Sequence, residues 1–243
     1  MDPVLAFSKE CEERIGSYGE NQDLKDSSLE WVKKSWSEKY SYNFRWMGRP
    51  IIQLPQDIIA MQEIIWEVQP DLIVETGIAH GGSLIFYASM LELLGGEGEV
   101  VGIDVDIREH NRREIESHPM FRRIRMIQGS SIAPETVEQV KGVATGKNKI
   151  IVCLDSCHEK DHVLSEMNAY SELVSLGSYM IVFDTIVEDL AGVKGSRADF
   201  ATNNPRGAVR EFLKMNQAFE VCDKWNSKLL ITHNPGGFLR RIR

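Results

Sequence analysis

Five short apolar runs in this chain each lead into a polar or acidic residue, and a helical stretch follows each of them. Leu72–Glu75 ends on Glu75, Val100–Asp104 on Asp104, Ile150–Asp155 on Asp155 and Tyr179–Asp184 on Asp184. The remaining run, Ile124–Gln128, passes into Gly129-Ser130-Ser131. Short runs of Ile, Val and Leu read as strands buried on both faces. The stretches 83–94, 107–117, 134–142, 160–175 and 205–216 read as helices, and Pro55–Val68 carries helical spacing behind a first-turn proline. Alternating strands and helices predict an α/β fold, a parallel sheet covered on both faces. In such a sheet ligands bind beyond the carboxyl ends of the strands, where strand order reverses. One acid at a strand end is explained by capping the next helix. Four in register predict a ligand site on one edge.

The 243 residues suffice for one α/β domain with an extension, with a core that needs no staples. A net charge of −8 and a pI of about 5.4 argue against a broad basic face for nucleic acid. The N-terminus lacks the basic start and apolar core of a secretion signal, and no stretch is long and apolar enough to span a membrane, so the expected location is cytoplasmic. Cys11, Cys153, Cys157 and Cys222 form no C-x-x-C pair, and Cys153 lies in an apolar run, as a core residue would. Residues 1–50 read as a short helix and an aromatic arm, with Trp31, Trp36, Tyr40, Tyr42, Phe44 and Trp46 close together. The arm is expected to pack on the main domain or on another subunit, which makes a homo-oligomer the expected state, or else to form a wall of the acceptor pocket. The C-terminal stretch from Phe219 reads as short strands joined by turns.

The turn after the first strand, Gly77-Ile78-Ala79-His80-Gly81-Gly82-Ser83, fits neither G-x-G-x-x-G nor a P-loop. Glu75 would repel a pyrophosphate there. It suits the ammonium of an amino acid, whose carboxylate can meet the helix start near Gly82-Ser83. Asp104 stands where an acid grips ribose hydroxyls, and Ser130 where an adenine would lie. An amino acid, a ribose and an adenine together describe S-adenosylmethionine. Tight packing of strand on helix is the competing reason for the glycines.

The segments "VETGIAHGGSLIFYASML", "VVGIDVDIREHNR", "IQGSS", "LDSCHEKDHVLSEMNAYSELVSLGSYMIVFDT", "NNPRGAVREFL" and "GFLRR" resemble the cephalosporin hydroxylase / rhamnosyl O-methyltransferase family, from about residue 35 to the end. The resemblance implies a class I methyltransferase fold over residues 51–243: Rossmann-like, with a seven-stranded, mostly parallel sheet. It also implies S-adenosylmethionine as donor and Mg2+-assisted methyl transfer to oxygen, with a hydroxyl of a sugar, glycolipid or natural product as acceptor. By this resemblance Glu75, Gly77, Gly81, Gly82, Ser83, Asp104, Ser130 and Asp155 belong to the donor site, and Asp155 and Asp184 bind the metal. The family's relatives place two polar ligands side by side at the last of these strands. Here Phe183 precedes Asp184, which leaves Thr185 as the third ligand. His158, three residues after Asp155, is the expected general base.

Two other readings compete. His158-Glu159-Lys160-Asp161-His162 satisfies H-E-x-x-H, the zinc protease signature. Alternatively, the chain binds S-adenosylmethionine as a non-catalytic partner subunit. The segment 185–205 has little regular pattern and is expected to shape the acceptor pocket. Asn203, Asn204 and Arg206 read as caps of the following helix.

Overall fold

The computed structural model describes residues 2–243. Two helices come first, α1 (Pro3–Glu20) and α2 (Gln22–Ser37), where the sequence suggested one short helix. Asn21 separates them: its backbone is extended, and its side chain accepts the Leu24 N–H at 3.0 Å. No residue of α1 is buried, so no apolar stripe announces it. A hairpin of β1 (Arg45–Trp46) and β2 (Arg49–Pro50) then leads to α3 (Pro55–Val68).

The five apolar runs are strands: β3 (Leu72–Thr76), β4 (Glu99–Asp104), β5 (Ile124–Gln128), β6 (Ile150–Leu154) and β7 (Tyr179–Val182). Between and after them run α4 (Gly82–Leu94), α5 (Glu109–Glu116), α6 (Pro134–Ala144), α7 (Lys160–Tyr170) and α8 (Pro205–Met215). The chain ends with β8 (Phe219–Val221), α9 (Asp223–Lys228) and β9 (Phe238–Arg241). The short helix α9 replaces part of the expected strands. It is six residues long with Trp225 as its one buried side chain, too little to show a period.

The seven-stranded sheet has the order β5-β4-β3-β6-β7-β9-β8. The pairings from β5 to β7 are parallel, and β9 is antiparallel to both its neighbours. From β3 the chain steps out to β4 and β5, then returns to place β6 on the other side of β3. The reversal puts a crevice beyond the ends of β3 and β6.

Alternation along the strands divides the core. Ile73, Ile151, Cys153 and Ile181 face α3 and α4, while Val74, Val152, Leu154 and Val182 face α6, α7 and α8. Each fully buried aliphatic side chain contributes about 1.5–3 kcal/mol. A third cluster joins Val32 of α2 to Ile186, Val187, Leu190 and Phe200, with Leu29 and Trp36 packed against it. The segment 185–205 is thus packed down by its own apolar side chains rather than standing as an open loop. Among the described residues no helix is long and apolar enough to cross a membrane.

Candidate active site

β3 ends in Glu75 and Thr76, both fully buried. The chain then turns through Gly77 (φ +89°), where an added Cβ would lie 2.1 Å from the Asp155 carbonyl oxygen. The missing side chain lets the turn lie directly on the end of β6. At Gly82 a Cβ would lie 2.1 Å from the Pro50 carbonyl oxygen, so the β1–β2 hairpin closes over the start of α4. Gly81 meets the Ile115 side chain. Close packing, the competing reading of the glycines, therefore accounts for all three.

Ala79 holds a left-handed backbone, φ +45°, and its surroundings fix it there. Asp104 accepts the N–H groups of Ile78 (2.8 Å) and Ala79 (3.3 Å), Asn111 donates to the Ala79 carbonyl (2.8 Å), and Arg49 donates to that of His80 (2.7 and 3.0 Å). Ser83 Oγ donates to Glu75 Oε2 at 2.6 Å, so this serine holds the carboxylate in place. Glu75 Oε1 is buried without a partner. Burial pushes the Glu75 carboxyl up to about 8, against the hydrogen bonds of Ser83 and Tyr87, and the charge of Asp104 adds to the rise.

Asp104 and Ser130 meet across a cleft of about 200 Å³, lined also by Gly77, Ser156, Cys157 and His162. At its base His162 Nε2 lies 3.2 Å from Ser131 Oγ, 3.3 Å from Ser156 Oγ and 3.4 Å from Glu166 Oε1. The hydrogen bond to the fully buried Glu166 raises the His162 pKa.

Next to the cleft is a cluster of donors. One ligand atom each from Asp155, His158 and Asp184 lie within 4.8 Å of one another. His158 Nε2 is 3.2 Å from Asp184 Oδ2. Burial, then the charges of Asp184, Glu75 and Glu166, push the Asp155 carboxyl well above the usual carboxylate range. A divalent cation would relieve that crowding, and carboxylate oxygens are its usual partners. The donor set therefore fits a metal, and the buried Glu75 carboxyl, two residues before Gly77 of the cleft wall, adds negative charge behind the cleft when ionised.

Thr185 does not join the cluster. It is fully buried, and its hydroxyl donates to the Pro235 carbonyl at 2.8 Å. The third side chain of the cluster is that of His158. The structure also removes the zinc protease reading. α7 begins at Lys160, so His158 precedes the helix, while that chemistry needs both histidines on one helical face. His158 faces Asp184, His162 faces Glu166, and Glu159 pairs with Arg197. Asn204 caps α8 through the Gly207 N–H (2.8 Å), Asn203 accepts the Lys160 N–H at the start of α7 (2.8 Å), and Arg206 pairs with Glu188 and Asp189 rather than capping.

The profile of the family Rhamnosyl O-methyltransferase/CmcI matches residues 38–242. The chain belongs to this family. Within it, the chain is 30% identical over 141 residues to the rhamnosyl O-methyltransferase of Mycobacterium leprae (strain TN), covering 58% of this chain and 59% of that protein. It is also 30% identical over 163 residues to that of Mycobacterium tuberculosis (strain H37Rv), covering 63% and 64%. The match thus spans about three fifths of the length of these curated relatives. A solved CmcI structure described with Mg and SAM superposes with a TM-score of 0.60 at 20% identity, over 83% of this chain and 78% of that one. An O-methyltransferase from Bacillus cereus in complex with SAH gives 0.51 at 16% identity, over 80% and 81%. These likenesses show the class I methyltransferase fold.

Several residues of the family member's site carry no sequence signal. His233 Nδ1 lies 3.5 Å from Asp184 Oδ1, and Asn234 Oδ1 accepts the Asp184 N–H at 3.0 Å. Asp184 itself is left-handed, at φ +52°. The strap 232–234 is anchored by buried Asp57, which accepts from the Thr232 hydroxyl and from the His233 N–H (2.9 Å). Trp36 packs edge-on against the His233 ring, centroids 5.7 Å apart. The strap lies in a turn, and Asp57 reads in sequence as an ordinary first-turn acid.

Proposed function

We propose that this chain is an S-adenosylmethionine-dependent O-methyltransferase that uses a divalent cation and acts on a hydroxyl of a sugar, glycolipid or natural product. The observation that carries this reading is the Asp155–His158–Asp184 cluster, placed beside the cleft lined by Asp104 and Ser130 at the β3/β6 crevice. Residues 156 and 157 line the cleft, and residues 155 and 158 on either side of them belong to the cluster. The reading is supported by the relatives' name, rhamnosyl O-methyltransferase, and by the CmcI structure with Mg and SAM. Further support comes from the MycE methyltransferase in complex with Mg, SAH and Mycinamycin VI, which superposes at a TM-score of 0.51 and 19% identity, over 87% of this chain and 54% of that one.

When bound, the donor supplies a methyl group on a sulfonium, and the cation lowers the pKa of a hydroxyl it holds. The chain does the rest. Asp104 and Ser130 would flank the nucleoside, and the Glu75 carboxylate would attract the donor's ammonium group. Asp155 and Asp184 hold the cation. The acceptor hydroxyl gives up its proton within this cluster of two carboxylates and an imidazole. Holding hydroxyl and methyl in line can be worth roughly 7–11 kcal/mol.

Calorimetry with S-adenosylmethionine, then transfer of labelled methyl to rhamnosides and other glycosides with and without chelator, tests the reading. Asp184→Asn is expected to bind donor normally and to lose about 10²-fold or more of the transfer rate, while Asp155→Asn, at a residue of both sites, is expected to lose the rate and to weaken donor binding as well. Donor binding with no transfer to any acceptor would favour the partner-subunit reading, and absence of donor binding would remove both. A cytoplasmic homo-oligomer remains part of the proposal, and light scattering of the purified chain checks the oligomeric state.

A further inference from the structure

The donor cluster contains an imidazole, and magnesium seldom selects one. Mg2+ prefers an octahedron of oxygens, several of them water. Mn2+, Fe2+, Co2+ and Zn2+ accept imidazole nitrogen readily. His158 Nε2 and Asp184 Oδ2 lie 3.2 Å apart. Two donor atoms at right angles around an ion, with bonds of about 2.1 Å, stand about 3 Å apart. The His158–Asp184 contact of the ligand-free chain is thus compatible with two neighbouring ligands on one ion. The carboxylate between them is steadied from its other side, because His233 Nδ1 lies 3.5 Å from Asp184 Oδ1 and the Asp184 N–H is held by Asn234. A carboxylate braced in this way keeps its ligating oxygen oriented.

We infer that His158 is a metal ligand rather than a free base, and that the site selects a first-row transition dication over Mg2+. The inference rests on the metal-assisted reading above and names the ion of that same site. The sequence-based role of His158 as proton acceptor then falls, because one lone pair on Nε2 cannot bind a cation and take a proton together. His233, outside the triad of donor atoms, is a positioning residue that acts through Asp184.

The test uses Mn2+ as probe on the full chain without substrate. Electron paramagnetic resonance measures its affinity, and electron spin echo modulation detects a nitrogen bonded to it. Mn2+ is expected to bind at least about tenfold tighter than competing Mg2+ and to show imidazole modulation. In His158→Asp, an all-oxygen variant, the modulation should vanish, Mn2+ should still bind and its preference over Mg2+ should shrink. In His233→Ala the modulation should persist while affinity falls roughly 10–100-fold. Bound Mn2+ without nitrogen modulation, modulation that survives His158→Asp, or Mg2+ competing on equal terms would each overturn the inference, and methyl transfer with Mg2+ would still stand. Nitrogen-bound Mn2+ on a chain that transfers no methyl group would support the inference and sink the functional reading.

Discussion

The fully buried Glu75 carboxyl contributes to the pH behaviour of the ligand-free protein. Glu75 rises from 4.5 to about 8 on folding, with burial as the first cause. The native state therefore holds this proton more tightly than the unfolded chain. The associated stability is fully present below pH 4.5 and is lost as pH rises through about 8, at a limiting slope of about 1.4 kcal/mol per pH unit. Asp57 acts with the same sign over a narrower window, from 3.8 to about 6. Glu75→Gln is expected to melt above the wild type at pH 8.5, with the difference fading as the pH approaches 4.5, and to bind S-adenosylmethionine more weakly. Melting curves across pH check the first effect and calorimetry the second. Gly77→Ala should cost about 1–3 kcal/mol, because the new methyl meets the Asp155 carbonyl and the backbone is left-handed. Denaturant unfolding measures it.

At the scale of elements, α2 reaches the site through one aromatic contact. Trp36 touches His233, His233 faces Asp184, and Asp57 of α3 fixes the strap that carries His233. Trp36→Ala is expected to destabilise the fold by about 1–3 kcal/mol and also to weaken cation binding. Chemical denaturation and Mn2+ titration of the same sample separate the two effects. Unchanged cation affinity would show that the strap holds its position without the aromatic ring. In the rest of the aromatic arm Trp31 packs on Tyr40, Tyr40 on Phe44 and Trp46 on Phe86, while Trp31, Tyr40 and Tyr42 stay exposed.

For the whole molecule, the two N-terminal helices are not equivalent. Removing residues 2–20 deletes α1, which buries none of its residues, and should shift the melting temperature by only a few degrees. Removing residues 2–37 also takes Val32 and Trp36 away from Ile186, Val187, Leu190 and Phe200. That truncation should melt well below the first and be cleaved by protease within 185–205. Limited proteolysis with mass spectrometry checks the site of cleavage. An equal melting temperature for the two truncations would show that the third apolar cluster does not depend on α2.

The strand-end acids Glu75, Asp104, Asp155 and Asp184 were legible because each closes a short apolar run, and the alternation of such runs with helices fixes a parallel sheet whose strand ends share one edge. The third donor was expected at Thr185, whereas the side chain that joins the two carboxylates is His158, on the loop after β6. Asp184 turns into the site and Thr185 into the core, since the left-handed backbone of Asp184 redirects the chain. His233 and Asp57 were not legible at all, for the hydrogen bond joining them spans 176 positions. Periodicity is a local property and determined the fold class and the chemistry at the strand ends. The selection of side chains that meet those acids depends on strand order and strap path, which only the packed sheet decides.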